Sequence, residues 1–485
     1  MILDRFRWVF CQLDTLRRCI PSSIRKVLDE LPTTIDDTYE RALQGIPKEK
    51  RQHAHHLFQC LVAAIRPLRV EELAEIFTIK FDADSVPSLM EGWRPENPEE
   101  SVLSTCSTLI AVIEDEGSKI VQFSHFSVKE FLTSDRLRTS DNGDIRLYHI
   151  PLDAAHTILA QACLTVLLQL DENVDKKRLA TFPLAIYAAR YWTDHARFED
   201  VVSRIQDAME RLFNPRGSFL PAWVWIHNVD RSRFQASRSI DALTERPSRP
   251  KATALYYAAL CGFRGLVSYL ISTHAEAVDA ECGRHGTLLH AASYGGHLDV
   301  ARLLLDHGVD VNMKNAHGNT PLCSAYTHRH VEAMRLLLDN GADADVSYLD
   351  MPVLIDASIR GTVEVVHLLL QHNADVKGTR DDFNWTALHF ACLRGHLKVV
   401  KLLLKHGAEV NALSKAHKTP LFVVSEDGNL EVVQILLEHG ADVHIWGGSN
   451  QTPFRVATSN SHTEVAQLLL EHGAEKDQQG VANIG

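Results

Sequence analysis

From residue 253 to residue 477 the hydrophobic pattern repeats itself. Each copy opens on a Thr, runs through a short apolar stretch rich in small residues and reaches a Gly. It then enters a second apolar run, as in Leu303-Leu304-Leu305, Leu336-Leu337-Leu338, Leu368-Leu369-Leu370, Leu402-Leu403-Leu404 and Leu468-Leu469-Leu470. The residue closing the first run serves as a ruler: Gly262, Gly296, Arg329, Gly361, Gly395, Gly428 and Ser461, with successive steps of 34, 33, 32, 34, 33 and 33 residues. This patterning predicts two short helices per copy. Thr253, Thr287, Thr320, Thr386, Thr419 and Thr452 (Pro352 in copy four) precede the first helix, where a hydroxyl can accept from a free N–H of the first turn. Pro321, Pro420 and Pro453 take the first helical position, where a missing N–H costs nothing. Ala291, Ala292 and Ala391 let helices approach, and the leucine triplet supplies the buried stripe of the second helix. Gly308, Gly341, Gly407, Gly440 and Gly473, with Asn373 in copy four, can adopt the left-handed conformation that ends it. A lone helix pair cannot cover its apolar face, so the copies must stack.

A period near 33 together with Thr287-Leu288-Leu289-His290-Ala291-Ala292 and Thr386-Ala387-Leu388-His389-Phe390-Ala391 resembles the ankyrin-repeat family, over residues 250 to about 475. The resemblance implies an α-solenoid of about seven repeats whose job is to bind another protein and which carries no chemistry. Copies three (Arg329-His330) and four (Pro352-Val353-Leu354) depart from the pattern, and local distortion is expected there without loss of the solenoid. In such arrays the variable positions lie at the turn tips and on the concave face of the first helix. That register marks Tyr294, His317, Asn319, Ile359, Arg360, Phe383, Trp385, Leu393, Arg394, Lys418, Glu426 and Asp427 as partner-binding candidates. Phe383, Trp385 and Arg394 are expected together on repeat five, being of residue types enriched at binding hot spots. The plainer reading is that Trp385 packs on the neighbouring turn.

The first half reads mainly as helix. Arg25 to Leu31 and Ile35 to Leu43 are amphipathic runs broken at Pro32 and Pro47, followed by residues 53–65 and Val70 to Ile79. Leu109 to Ile113 and Ile120 to Phe123 flank the polar turn Glu114-Asp115-Glu116-Gly117 and predict a hairpin. That order suggests a winged-helix-like unit. Helix returns over 150–213, bounded by Pro151 and Pro183, and Arg246 to Lys251 forms a stiff linker. The expected division is 1–50 helical segment, 51–140 winged-helix-like domain, 145–240 helical domain, 241–252 linker, 253–477 repeats and 478–485 polar tail. Tyr256, Tyr257 and Tyr269 would leave the first repeat's face exposed, so the preceding half is expected to cap it.

A second resemblance lies in this half. Phe6-Arg7-Trp8, then Leu31-Pro32-Thr33-Thr34-Ile35-Asp36-Asp37-Thr38-Tyr39-Glu40-Arg41, Arg66-Pro67-Leu68-Arg69-Val70-Glu71-Glu72-Leu73 and Phe123-Ser124-His125-Phe126-Ser127-Val128-Lys129-Glu130-Phe131-Leu132 are similar to the region that follows the nucleotide-binding core of fungal NACHT-type STAND NTPases. There the His matching His125 reaches the phosphates of bound ADP. No Gly-Lys dipeptide occurs here, so the chain holds no Walker A loop; it is expected to begin downstream of the ATPase core and to lack NTPase activity. His125 is then either a structural ring bonded within the winged helix or a group completing a site on a partner chain.

Composition narrows the reading further. The formal charge of −12 and the absence of a basic tract exclude a phosphate-backbone binder. Nine dispersed cysteines without a CxxC pair imply free thiols in an intracellular, cytoplasmic setting, and no run is long enough to span a membrane. His53, His55, His56 and Cys60 cluster, yet no fourth ligand for a structural metal is evident. Most other histidines belong to the repeats, after the ruler (His297, His396) or before the turn (His307, His372, His406, His439, His472). No nucleophile motif is present. The expectation is a non-enzymatic interaction scaffold with a protein partner and no cofactor, metal, nucleic acid, membrane or small-molecule substrate. The runner-up is the sensor fragment of a NACHT-type signalling NTPase that needs a separate nucleotide-binding module.

Overall fold

The computed structural model describes residues 34–475 apart from 82–86, 116, 199, 228, 230–242, 245–249, 251, 275–277, 279–282, 381–382 and 448–450. The expected helix at Arg25 to Leu31, most of the linker and the tail lie outside the described residues. The chain divides into two compact units, Met1–Ala254 and Leu255–Gly485.

The first unit opens with α1 (Ile35–Gln44), capped by Thr34, whose hydroxyl accepts from the Asp37 N–H. α2 (Arg51–Ala63) is followed by β1 (Leu68–Arg69), α3 (Val70–Ile76), the small ladder of β2 (Ile79–Lys80) with β3 (Ser88–Leu89), and α4 (Pro98–Cys106). The predicted hairpin is present as β4 (Ile110–Asp115) and β5 (Ser118–Phe123), and β1 joins it antiparallel in the order β1-β5-β4 with Leu68 opposite Val121. Helix, strand, two helices and hairpin make a winged helix. α4 escaped the sequence reading because its apolar stripe is short. Its start signal was legible all the same: Asn97 accepts from Glu100 N–H, and Pro98 follows at the first helical position. After α5 (Phe126–Leu132) comes α6 (Leu152–Leu167), which is apolar almost all round and packs against α2, α7 (Ala185–Ala196) and α8 (Val201–Leu212). Trp192, Phe213 and Trp223, the last on α9 (Phe219–Ile226), meet edge-on or tilted beside it, and Trp223 Nε1–H donates to the Ala189 carbonyl at 2.9 Å.

The motif strings of this half act as clasps. Glu72 is fully buried and accepts from Arg66 at 2.6 and 2.8 Å, from the Arg69 guanidinium and from the Arg69 N–H. Burial alone would raise its carboxyl, but the Arg66 hydrogen bonds and charge and then Arg69 hold it below the usual glutamate range. Replacing Glu72 with Ala strands two guanidinium groups beside the core and is expected to destabilise this unit by about 3 kcal/mol, read as the shift of its urea transition. α1 is docked twice. Arg136 reaches Asp36, Asp37 and Glu40 at 3.2, 2.7 and 3.0 Å, and Tyr39 OH meets Ser127 Oγ at 2.8 Å.

In the second unit seven helix pairs stack in two layers. The first helices are Ala254–Cys261, Leu288–Gly295, Pro321–Thr327, Val353–Arg360, Ala387–Leu393, Pro420–Asp427 and Pro453–Ser459. The second helices are Arg264–Thr273, Leu298–Asp306, Val331–Asp339, Val363–Gln371, Leu397–Lys405, Leu430–Glu438 and Thr463–Glu471. Thr320, Thr386, Thr419 and Thr452 accept from the N–H three residues on, as expected. Thr386→Ala is expected to cost about 1 kcal/mol in the array's denaturation midpoint. The motif histidines go further. Nδ1 of His290 and His389 accepts from the N–H of its own Thr, so Nε2–H donates across to the carbonyl of Asn319 or Lys418 in the next turn, at 2.9 and 3.0 Å.

The ruler glycines all take positive φ, and the residue after the next ruler lies against them. His297, His330, His396 and His462 each fill the space where the preceding ruler's Cβ would stand. Each also donates from Nε2 to a backbone carbonyl in that preceding repeat: Leu260, Tyr294, Ile359 and Glu426. The expected distortion at copy three is not seen in the backbone, since Arg329 adopts φ 61° and the solenoid continues. There the following repeat starts its second helix on Thr362 instead of His. Copy four does differ: its tip closes as a tight hairpin, Ser347–Tyr348 against Met351–Pro352, with Leu349 and Asp350 at φ 50° and 59°. First helices pack closely between repeats two and three and from four through seven, and less closely between one and two and between three and four. Tyr326 stands at the junction of repeats three and four, where the other repeats carry Ala259, Ser293, Ser358, Cys392, Ser425 or Thr458.

Candidate functional site

The candidate residues fall into three groups. His317 is exposed at its tip, and Asp427 and Arg394 are exposed at the ends of their helices. The Arg394 side chain makes no hydrogen bond or ion pair among the described residues. Others serve the scaffold as well as the surface. Asn319 N–H donates to Asn315 Oδ1 and its carbonyl receives His290, while the carbonyls of Tyr294, Ile359, Lys418 and Glu426 receive histidines from neighbouring repeats. Leu393 is half-buried. The Lys418 ammonium meets Glu426 at 2.7 Å and lies 5.2 Å over the Phe422 ring.

On repeat five, Phe383 is 59% exposed at the tip, and Trp385, on the strand leaving it, rests against Phe390 at 5.0 Å and His389 at 5.6 Å. No hydrogen bond or cation–π contact joins Arg394 to them among the described residues. Trp385 is thus half-buried on its own repeat, with Phe383 exposed at the tip and Arg394 exposed at the end of the helix.

Sequence reasoning marked Tyr294 and Arg360 but missed the residues they meet, His285, His328, Tyr326 and Asp356. Tyr294 is flanked by His285 at 3.8 Å and His328 at 3.9 Å. One repeat on, Asp356 accepts from Tyr326 OH at 2.7 Å and from Arg360 Nε at 2.9 Å, a polar triplet spanning repeats three and four. Burial, then the bond to Asp356, pushes the Tyr326 hydroxyl well above the tyrosine range. The available signal was a Tyr at a position otherwise occupied by small residues. Leu349, 78% exposed at the neighbouring tip, was also unmarked.

Most chemistry-bearing side chains of the first unit are occupied within it, although His53 is exposed. His125 caps α5: its Nδ1 is 2.6 Å from Ser127 Oγ and accepts from Ser127 N–H, and its ring lies on Phe126. The His53–Cys60 cluster disperses, with His53 against Phe77, His56 against Phe81 and His55 toward Tyr148. Among the described residues no three His, Cys, Asp or Glu converge to hold a metal. Burial pushes the thiols of Cys60, Cys163 and Cys392 far up, which leaves them un-ionised. A buried chain runs from Ile65 N–H to Tyr187 OH, His195 Nε2 and, through Nδ1 at 2.8 Å, His156 Nδ1. Burial lowers His195 to about 3 and His156 to about 4. No helix among the described residues is long and apolar enough to cross a membrane.

Comparison with known proteins places these units. A family model described as ankyrin repeats (3 copies) matches residues 236–315, 255–348, 348–414 and 411–480. A second, described as the winged helix domain of GPI inositol-deacylase, matches residues 39–142. The chain is 31% identical over 292 residues to the azaphilone pigments biosynthesis cluster protein L of Monascus ruber, an alignment covering 57% of this chain and 60% of that protein. Among solved structures it is similar to the human ASB11 ankyrin repeat domain, with 28% identity over 46% of this chain and 99% of that one and a TM-score of 0.38. The ankyrin repeat domain of Bcl-3 follows with 29% identity over 46% and 100% and a TM-score of 0.41.

Proposed function

Because the chain belongs to the ankyrin-repeat family, whose models together span residues 236–480, we propose that it is a protein–protein interaction scaffold related to STAND-type signalling proteins. It engages its partner through the concave face and turn tips of the repeats and catalyses nothing. The observation that carries this reading is the contrast between the two units. The array presents exposed groups (Arg394, Phe383, His317), whereas the Cys60 and Cys163 thiols and the bonded Tyr187–His195–His156 chain of the first unit are buried. Rigid presentation of aromatic and Arg anchors is the physical requirement of a hot spot.

The test uses the full chain as bait beside a Trp385→Ala, Arg394→Ala double variant. A partner bound through this surface is expected to lose affinity roughly thirtyfold, as for a hot spot worth about 2 kcal/mol. Retention of every specific partner by the double variant would refute the assigned surface.

A second reading has one observation in its favour. The strings shared with NACHT-type regions form an intact clasp in which Arg136, Tyr39, Ser127 and His125 fix α1 against the winged helix, and His125 Nε2 has no hydrogen-bond partner among the described residues. On that reading the chain is the sensor part of a signalling NTPase, working beside a nucleotide-binding module, in an intracellular setting.

A further inference from the structure

We propose that the outer face of repeat five's second helix, where Lys398, Lys401 and Lys405 stand in one row, docks an acidic segment of a partner protein. This face belongs to the second-helix layer and is independent of the concave surface.

The second helices carry three outward positions, at three, six and ten residues past the ruler. In repeats two, three, six and seven the outer two are acidic: Asp299 and Asp306, Glu332 and Asp339, Glu431 and Glu438, Glu464 and Glu471. Repeat four has Glu364 and Gln371. Repeat five alone among these reverses the sign, with lysine at all three positions, each exposed. No ion pair or hydrogen bond holds any of the three side chains among the described residues.

Lys405, in the last turn, is favoured by the helix dipole, but the other two features of the row are unfavourable. Lys398 sits in the first turn, where the helix dipole opposes a cation, and the spacings 398–401 and 401–405 place like charges on neighbouring turns. A stripe that costs helix stability and forms no internal pair fits a role outside the fold.

The surroundings define the ligand. The row is seven residues long, about 10 Å at the helical rise. Carboxylates one and two helical turns apart match that span. Glu364 on one side and Glu431 and Glu438 on the other fence the row with negative charge. A nucleic-acid backbone or an anionic lipid surface is wider than the row and would meet those fences. A narrow acidic helix or strand fits between them.

The experiment measures binding of a fluorescent peptide with Glu at i, i+3 and i+7 to the full chain by anisotropy, at low and high salt. The comparison proteins are the triple variant Lys398→Glu, Lys401→Glu, Lys405→Glu and the control Arg302→Glu on repeat two. Expected are salt-sensitive binding by the native chain and the control, and loss of at least roughly tenfold in the triple variant with no fall in melting temperature. Equal binding by native and triple variant, or no binding by the native chain, overturns the proposal. So does tighter binding of duplex DNA or of phosphatidylserine vesicles than of the peptide. A lowered melting temperature in the triple variant also overturns it, by showing that the lysines serve attraction between repeats.

Discussion

Acidification from pH 6.5 to 4 is expected to unfold the N-terminal unit ahead of the repeat array. Burial lowers His55, His56, His156 and His227 to about 4 and His195 to about 3. A histidine whose folded pKa is depressed stabilises the fold above its unfolded value near 6.5, and that contribution is lost as pH falls toward the folded value. One group acts the other way. Glu75, buried against Leu184 N–H and Arg94, is pushed up to about 7 by burial, so its contribution is complete below the ordinary glutamate range and lost as pH rises to 7. Five histidines against one carboxylate leave a net loss of about 5 kcal/mol or more, comparable with the whole stability of a typical domain. In the array, burial lowers His285 and His389 to about 4 in the same way. Buried Trp192 and Trp223 make fluorescence-monitored urea unfolding the natural probe. The midpoint should drop steeply between pH 6.5 and 5, and the drop should shrink in a His156→Phe, His195→Phe variant. A midpoint flat to pH 5 would show that the buried histidines do not govern acid stability.

Gly361→Ala is expected to destabilise the array by about 3 kcal/mol, whereas Gly407→Ala should cost about 1 kcal/mol. Both glycines have positive φ, 70° and 86°. They differ in what a methyl group meets. At Gly361 it would stand 2.6 Å from the His396 ring, forcing that ring off its bond to the Ile359 carbonyl; at Gly407 nothing lies within 4 Å. The difference therefore isolates inter-repeat packing from backbone strain. Urea denaturation followed by circular dichroism measures both variants. Equal shifts would leave the histidine plug without an energetic role.

Much of this was legible from spacing. The ruler, the Thr caps, the helix-ending glycines and the β4–β5 hairpin depend on residues within one turn or one hairpin of each other, so local physics writes them into sequence. The histidines after the ruler read correctly as structural. What stayed hidden joins residues whose separation no period announces. His156 and His195 are 39 positions apart on different helices, and Tyr326 meets Asp356 only because two atypical repeats stack. Trp385 illustrates the limit from the other side. Its place near a tip followed from register, but its lean onto Phe390 depends on a rotamer that register does not specify.

The pairing of Arg329 with Thr362 bears on how such an array can change over generations. Every other junction that brings a histidine or Asn429 against the previous ruler has glycine there. Repeat three is the exception, and its successor begins its second helix with the smaller threonine. Repeats gained or lost by unequal recombination would usually fit anywhere, since each carries the same lock and key. Here the lock has been recut. Deleting repeat four, or inserting an ordinary repeat after three, would drive a histidine into the Arg329 Cβ. Repeats three and four are therefore matched to each other, and exchanging either one for an ordinary repeat would break the fit that the other junctions share.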